Sequence, residues 1–335
     1  MRLALSTAAA LVAVGLIAVC SAGEQPLGLG EPETILLARW GSGPGELGKK
    51  DGSEGASLGP MSFAFGPDGR LFVLDQVHGR VAVFRPDSDD LHPRQAVANR
   101  GHAYVFDRFI SIPGTTFDEL EVGEDGRILL LDRLVKEALV ILDPRTMQVD
   151  ELSVVGAGIP EGGGITAMLV RNDGIWLEYS REHSVRVLDS RWLPAERRMV
   201  TGRPARGFGG TLEASLGVSG GADVRVEHGG DGARSFFVQD DVPVGRLIEL
   251  ADAPGGRVLL VYHCWRWAQD GDGLAFQEVR GRWYGPDGKP AAVFSSQRTI
   301  TAWEQFREFR ILQDGTAVQM SFSAEGVTLL QWGAP

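Results

Sequence analysis

The chain has 335 residues, 43% hydrophobic and 23% charged, which suits one large β domain or two smaller ones. Its 45 glycines and 17 prolines favour many turns over long helices. A net charge of -11 opposes broad attraction to nucleic acid or anionic lipid, so no nucleic-acid partner is expected.

The first residues, MRLALSTAAALVAVGLIAVCSAGEQP, place Arg2 before an apolar stretch to Val19 and then small and polar residues. Such a segment is an export signal, set apart from the fold. Its processing has alternatives. Cys20 stands where a bacterial lipoprotein carries its lipidated cysteine, and LIAVC resembles a lipobox with Val19 where Gly, Ala or Ser is usual. That ending would put the protein in the outer membrane or periplasm, touching the membrane only through a lipid anchor. Cleavage after Ala22 would release a secreted protein, and an uncleaved anchor is the remaining alternative. Cys264, the other of 2 cysteines, lies in the apolar run VLLVYHCW, so no intramolecular disulfide is expected.

Residues 23–32 read as a linker, and repetition begins beyond them. FAFGPDGRLFVLDQVHGRVAVFRPD, from Phe63, is a strand, an Asp-Gly turn, a second strand, a loop and a third strand. The scheme returns from Phe117 and from Ile165, with turns expected at Asp68-Gly69, Asp125-Gly126 and Asp173-Gly174. Two later units centre on Gly255-Gly256 and Asp314-Gly315, and the irregular interval before them has room for one degenerate unit. Six units of about 50 residues are the size of four-stranded propeller blades. The expected fold is therefore all-β, a six-bladed β-propeller of four-stranded antiparallel blades forming a single domain over 33–335. The final unit supplies three strands, and TILLARWG from Thr34 has no partner of its own. It would complete the last blade and leave no open edge. A strand of an ordinary open sheet is the alternative.

The stretch RWGSGPGEL followed by PMSFAFGPDGRLFVLDQVHGRVAVF resembles an NHL repeat, a β-propeller motif, over about residues 39–85. Pro60, the Asp68-Gly69 turn, Asp75, Arg80 and Phe84 carry the likeness. His78 stands in the loop after Asp75 where the family usually has Asn, and later units lose the Asp. The resemblance implies a propeller and fixes no function.

Few motifs suggest chemistry. GVSGG around Ser219 satisfies a nucleophile-elbow pattern, but it lacks the strand before and helix after that expose such a serine, so it reads as a loop. WAQDGDGLAF spaces Asp270 and Asp272 like part of a calcium loop, yet Leu274 takes the third position and a hairpin turn is the better reading. No catalytic residue or metal ligand is nominated. Ligand-binding candidates come from loops between second and third strands, which in a propeller gather on one face. His78, Arg133, Lys136, Arg181 and His183 occupy such loops in three consecutive units. Together they would hold an anionic or polar group; singly each also suits a solvated loop. Tyr262, Trp265, Trp267, Phe276, Trp283 and Tyr284 cluster in the fifth unit, where Trp265 and Trp267 suit either a partner surface or packing between blades.

The leading functional reading is an exported cell-envelope propeller that binds or scaffolds a protein, a peptide or a small polar ligand. Its alternatives are a metal-assisted hydrolase or lyase, similar to gluconolactonase or streptogramin lyase, and a structural subunit of a secreted assembly. No cofactor is expected under the first reading; calcium belongs to the enzymatic alternative.

Overall fold

The computed structural model describes residues 26–52, 57–87, 103–207, 209–228, 232–268, 273–296 and 303–335. Cys20, His92, His102 and the Asp270–Asp272 turn lie outside them, as does the side chain of His228. The described chain is a six-bladed propeller with almost no helix.

Blade 1 is formed by Phe63–Phe65, Leu71–Asp75, Arg80–Pro86 and Tyr104–Ser111. Blade 2 follows with Glu119–Val122, Ile128–Asp132, Ala138–Asp143 and Gln148–Ser153, and blade 3 with Ile165–Arg171, Gly174–Tyr179, His183–Leu188 and Pro194–Thr201. The irregular interval forms a complete blade 4, made of Arg203–Pro204, Thr211–Leu216, Ala222–His228 and Gly232–Val238. Blade 5 has Val244–Ala253, Arg257–Trp267, Leu274–Tyr284 and Pro290–Ser296. Leu27–Gly28 adds a parallel strand to its outer edge. Blade 6 has Phe309–Ile311, Ala317–Phe322 and Gly326–Trp332, and its fourth strand is Glu33–Arg39 from the other end of the chain. Ile35, Leu36 and Ala38 of that strand are buried, so closure couples backbone pairing to hydrophobic burial.

Local chemistry explains the turns. In Gly66–Arg70 the Gly66 amide donates to the Arg70 carbonyl, Gly69 takes φ 77°, and Asp68 accepts the Arg70 amide. Asp125-Gly126 and Asp314-Gly315 repeat this arrangement. Only glycine enters that left-handed backbone without strain, and the aspartate caps the turn. The third turn is displaced by one residue: Arg171 pairs with Gly174, so Asn172 and Asp173 make the turn.

The first strand of each blade is innermost. Turns joining first to second strands define one face of the ring, here the turn face; loops joining second to third strands define the opposite, loop face. Five of the six seams are filled by apolar residues from both blades they join, such as Ala64 and Leu74 against Leu120 and Leu130 between blades 1 and 2. The seam between blades 3 and 4 differs. Among the described residues its small apolar cluster, Ala167, Leu169, Trp176 and the partly buried Val200, comes entirely from blade 3.

Candidate functional site

The charged residues of the inner strands meet along the channel. In the run Asp118–Val122, Glu119 and Glu121 alternate with Leu120 and Val122, so one side of the strand faces the axis and the other packs against blade 1. Arg307 donates to Glu249 at 2.9 Å, to the Met168 carbonyl at 3.1 Å and also to Glu119. Glu119 accepts the Met168 amide at 2.9 Å. Arg203 makes a two-pronged contact with Glu178, both bonds 3.0 Å, and a further bond to Glu249. Farther along, Arg310 pairs with Glu121 and donates to the Leu120 carbonyl at 2.7 Å.

Burial alone would raise Glu249, but Arg203 and Arg307 outweigh it and hold the carboxyl at about 2. Complete burial pushes Glu119 upward, against the pull of Arg307 and Arg310. These residues join blades 2, 3, 4, 5 and 6 across the axis. Sequence reasoning missed them because partners lie far apart in the chain. The available signal was charged residues set among apolar ones in first-strand runs, as in DELEV and FREFR.

Outside the channel, blades 3 and 4 diverge. Near the axis they are joined by Arg203 to Glu178 and by Arg171 to the Pro204 carbonyl. Beyond those bonds one face of blade 4 is uncovered among the described residues. Leu212, Val224, Val226 and Val238 face blade 5 and are buried, whereas the alternate residues Ser215, Asp223, Arg225, Ser235 and Phe237 are exposed. They line a cleft of about 680 Å³, completed by Arg181, Glu182 and Thr201 of blade 3. That volume falls within the usual few hundred to one thousand Å³ of a small-ligand site. The wall offers carboxylates at Glu213 and Asp223, hydroxyls at Ser215 and Ser235, and the ring of Phe237, 44% exposed.

Phe237 is seated by the GVSGG segment. A Cβ on Gly221 would lie 2.3 Å from its ring, and one on Gly217 would lie 2.9 Å away. This segment is the turn between the second and third strands of blade 4, closed by the Gly217 amide on the Gly221 carbonyl. Ser219 therefore sits between two strands, without a following helix.

The loop candidates separate. Arg133 reaches inward to Asp118 and the Ile165 carbonyl and stacks over Phe306, with 4.3 Å from guanidinium to ring centre. Arg181 extends to the Ile248 carbonyl at 3.4 Å and also lines the cleft. Burial, then Arg203, lowers its pKa. Both arginines are half-buried and bonded to neighbouring groups of the protein. His78 instead faces Asp75, at 2.9 Å, in the corner where Asp75 also holds the Gly48 amide and Arg80. Lys136 pairs with Glu151 on the outer strand of blade 2, and His183 contacts the Gly158 carbonyl. The structure thus brings Arg133 and Arg181 to the loop-face ends of inner strands, and leaves the other three away from them.

In blade 5, Tyr262, Trp283 and Tyr284 are buried. Trp265 lies flat over Gly245 and against His263, whereas Trp267 is 64% exposed. Among the described residues, no group of three or more His, Cys, Asp or Glu side chains is placed to hold a metal ion.

No protein-family model and no curated protein sequence matches the chain. Similar solved structures include a streptogramin B lyase, 11% identical, covering 84% of this chain and 95% of the other, with a TM-score of 0.40. Virginiamycin B lyase from Staphylococcus aureus is 10% identical over 83% of this chain and 96% of its own, with a TM-score of 0.41. A protein from Lactobacillus plantarum is 13% identical over 76% and 88% of the two chains, at 0.38. Likeness at this level carries no argument about activity.

Proposed function

We propose that this propeller is an exported binding module of the cell envelope, and that a peptide or small polar ligand occupies the cleft between blades 3 and 4. One observation carries the reading: blade 4 has polar residues at the positions where a blade normally buries apolar ones against its neighbour. Glu213, Ser215, Asp223, Arg225 and Ser235 are suited to water or a polar ligand. Phe237 adds a flat apolar surface on which a sugar ring or a peptide side chain would stack. Arg181 joins this cleft to the loop-face end of the channel.

The enzymatic alternative would need channel carboxylates free to take an ion or a proton. The four channel glutamates, Glu119, Glu121, Glu178 and Glu249, are instead held by Arg203, Arg307 and Arg310. This arrangement supports the channel as a structural axis and favours the binding reading. The NHL-like first unit fits the same role, since Asp75 and Arg80 tie the preceding loop to blade 1.

The test is a thermal-shift panel of short peptides and saccharides against wild type and Ser235→Trp, in which the indole fills the cleft. The reading expects a ligand that stabilises wild type and loses its effect in the variant. A panel with no stabilising member, or one whose effects survive the substitution, argues against it. For export, Cys20→Ala should shift the protein from membrane to soluble fractions or block its maturation, because two acyl chains anchor stably where one does not. Release of the wild type into the medium would favour cleavage after Ala22.

A further inference from the structure

Two arginines at the turn-face end of the channel stand apart from its ion pairs. Arg171 ends the inner strand of blade 3, and Arg206 follows the inner strand of blade 4 by two residues. Among the described residues, neither has a carboxylate at ion-pair distance. Their guanidiniums bond to main-chain carbonyls instead: Arg171 to Pro204 at 2.5 Å and Val170 at 2.8 Å, and Arg206 to Ile311 at 2.9 Å.

The nearby carboxylate is turned to the main chain and ion-pairs with neither guanidinium, while its Oδ1 is buried without a hydrogen-bond partner among the described residues. Asp252 Oδ2 accepts the amides of Arg206 and Gly207, both at 2.7 Å. Next along the channel, Arg310 is matched by Glu121. Glu249, and for Arg206 also Glu121, act on the two guanidiniums too, but those carboxylates are already paired with Arg203, Arg307 and Arg310. Burial, then the charge of Arg206, pulls Arg171 down to about 9, and burial lowers Arg206 as well. Such a pair is short of negative charge. Guanidinium presents planar, paired donors, which match the oxygens of a carboxylate or phosphate better than they match a spherical ion.

We propose that Arg171 and Arg206 form a binding site for a small oxyanion, a phosphate or carboxylate group, at the turn-face mouth of the channel. Asp252 sets the backbone from which Arg206 projects. The site lies at the opposite face from the loop-face ligand positions and does not depend on the cleft between blades 3 and 4.

The test is calorimetric titration and thermal melting of the full chain with inorganic phosphate and with acetate, using chloride at equal ionic strength as the control. One of the oxyanions should bind saturably and raise Tm where chloride does not, and which one does so distinguishes a phosphate from a carboxylate ligand. Arg171→Gln should weaken that binding about tenfold or more, the usual consequence of losing a charge-assisted bond. Arg206→Gln should do the same, and serves where the first variant fails to fold. Absence of saturable oxyanion binding to wild type overturns the proposal, as does unchanged affinity in a folded variant.

Discussion

Arg307 donates to Glu249 at 2.9 Å, linking blade 6 to blade 5 across 58 residues of chain, while its other donors reach blades 2 and 3. Both side chains are 8% exposed. Breaking a buried pair leaves an uncompensated charge, which costs far more than the pair itself contributes. Arg307→Met should therefore destabilise the protein by about 3–5 kcal/mol. Urea unfolding measures this, and a loss below about 0.5 kcal/mol would mean that the channel ions do not hold the ring.

The same network predicts an acid limb. Glu249 is held at about 2 against an ordinary 4.5, so its contribution is complete above about pH 4.5 and is lost as pH falls towards 2. Glu119 acts with the opposite sign. Its raised pKa means that ionisation costs stability at neutral pH, and acid relieves the cost. Unfolding free energy followed from pH 5 to pH 2 should fall in wild type and fall less steeply in Glu249→Gln. Equal slopes would contradict the assignment.

Closure of the ring gives a third test. Deleting residues 23–41 removes the fourth strand of blade 6 and uncovers Val327 and Leu329, both fully buried. The open edge should produce aggregation or a broad, non-cooperative melt. A truncated protein that stays monomeric and melts like the full chain would show that this strand is dispensable.

The two tryptophans of blade 5 should separate cleanly. Trp265 covers Gly245, so Trp265→Ala should cost about 3 kcal/mol, near the lower end for such truncations. Trp267, 64% exposed, should lose less than about 0.5 kcal/mol on the same change. Comparable losses for both would place Trp267 in a packed environment that its exposure denies.

The ring was legible because its turns carry local chemistry. Asp68-Gly69, Asp125-Gly126 and Asp314-Gly315 need a left-handed glycine beside a capping aspartate, and that requirement is written in adjacent residues. Thr34 to Trp40 was legible for another reason: an apolar run without a hairpin partner must pair elsewhere. Blade 4 was obscure because its inner strand is only Arg203–Pro204, too short for any periodicity. Arg203 and Glu249 were hidden because their meeting depends on assembled blades rather than on spacing. His78 shows the limit of equivalent positions, since its loop matched Arg133 in place while its ring turned to Asp75. The uncovered face was present as alternation in ADVRVEH and GARSFFV, but only assembly reveals which face lacks a neighbour.

Among the described residues, the face of blade 4 towards blade 3 is open. Alkylation of Ser235→Cys in a Cys20→Ala background tests it most directly, with the buried Cys264 as an internal reference. The thiol at 235 should react in the folded protein at close to its rate in the denatured chain, while Cys264 stays protected. Protection of position 235 as strong as that of Cys264 would show that the seam is closed and that no cleft separates blades 3 and 4.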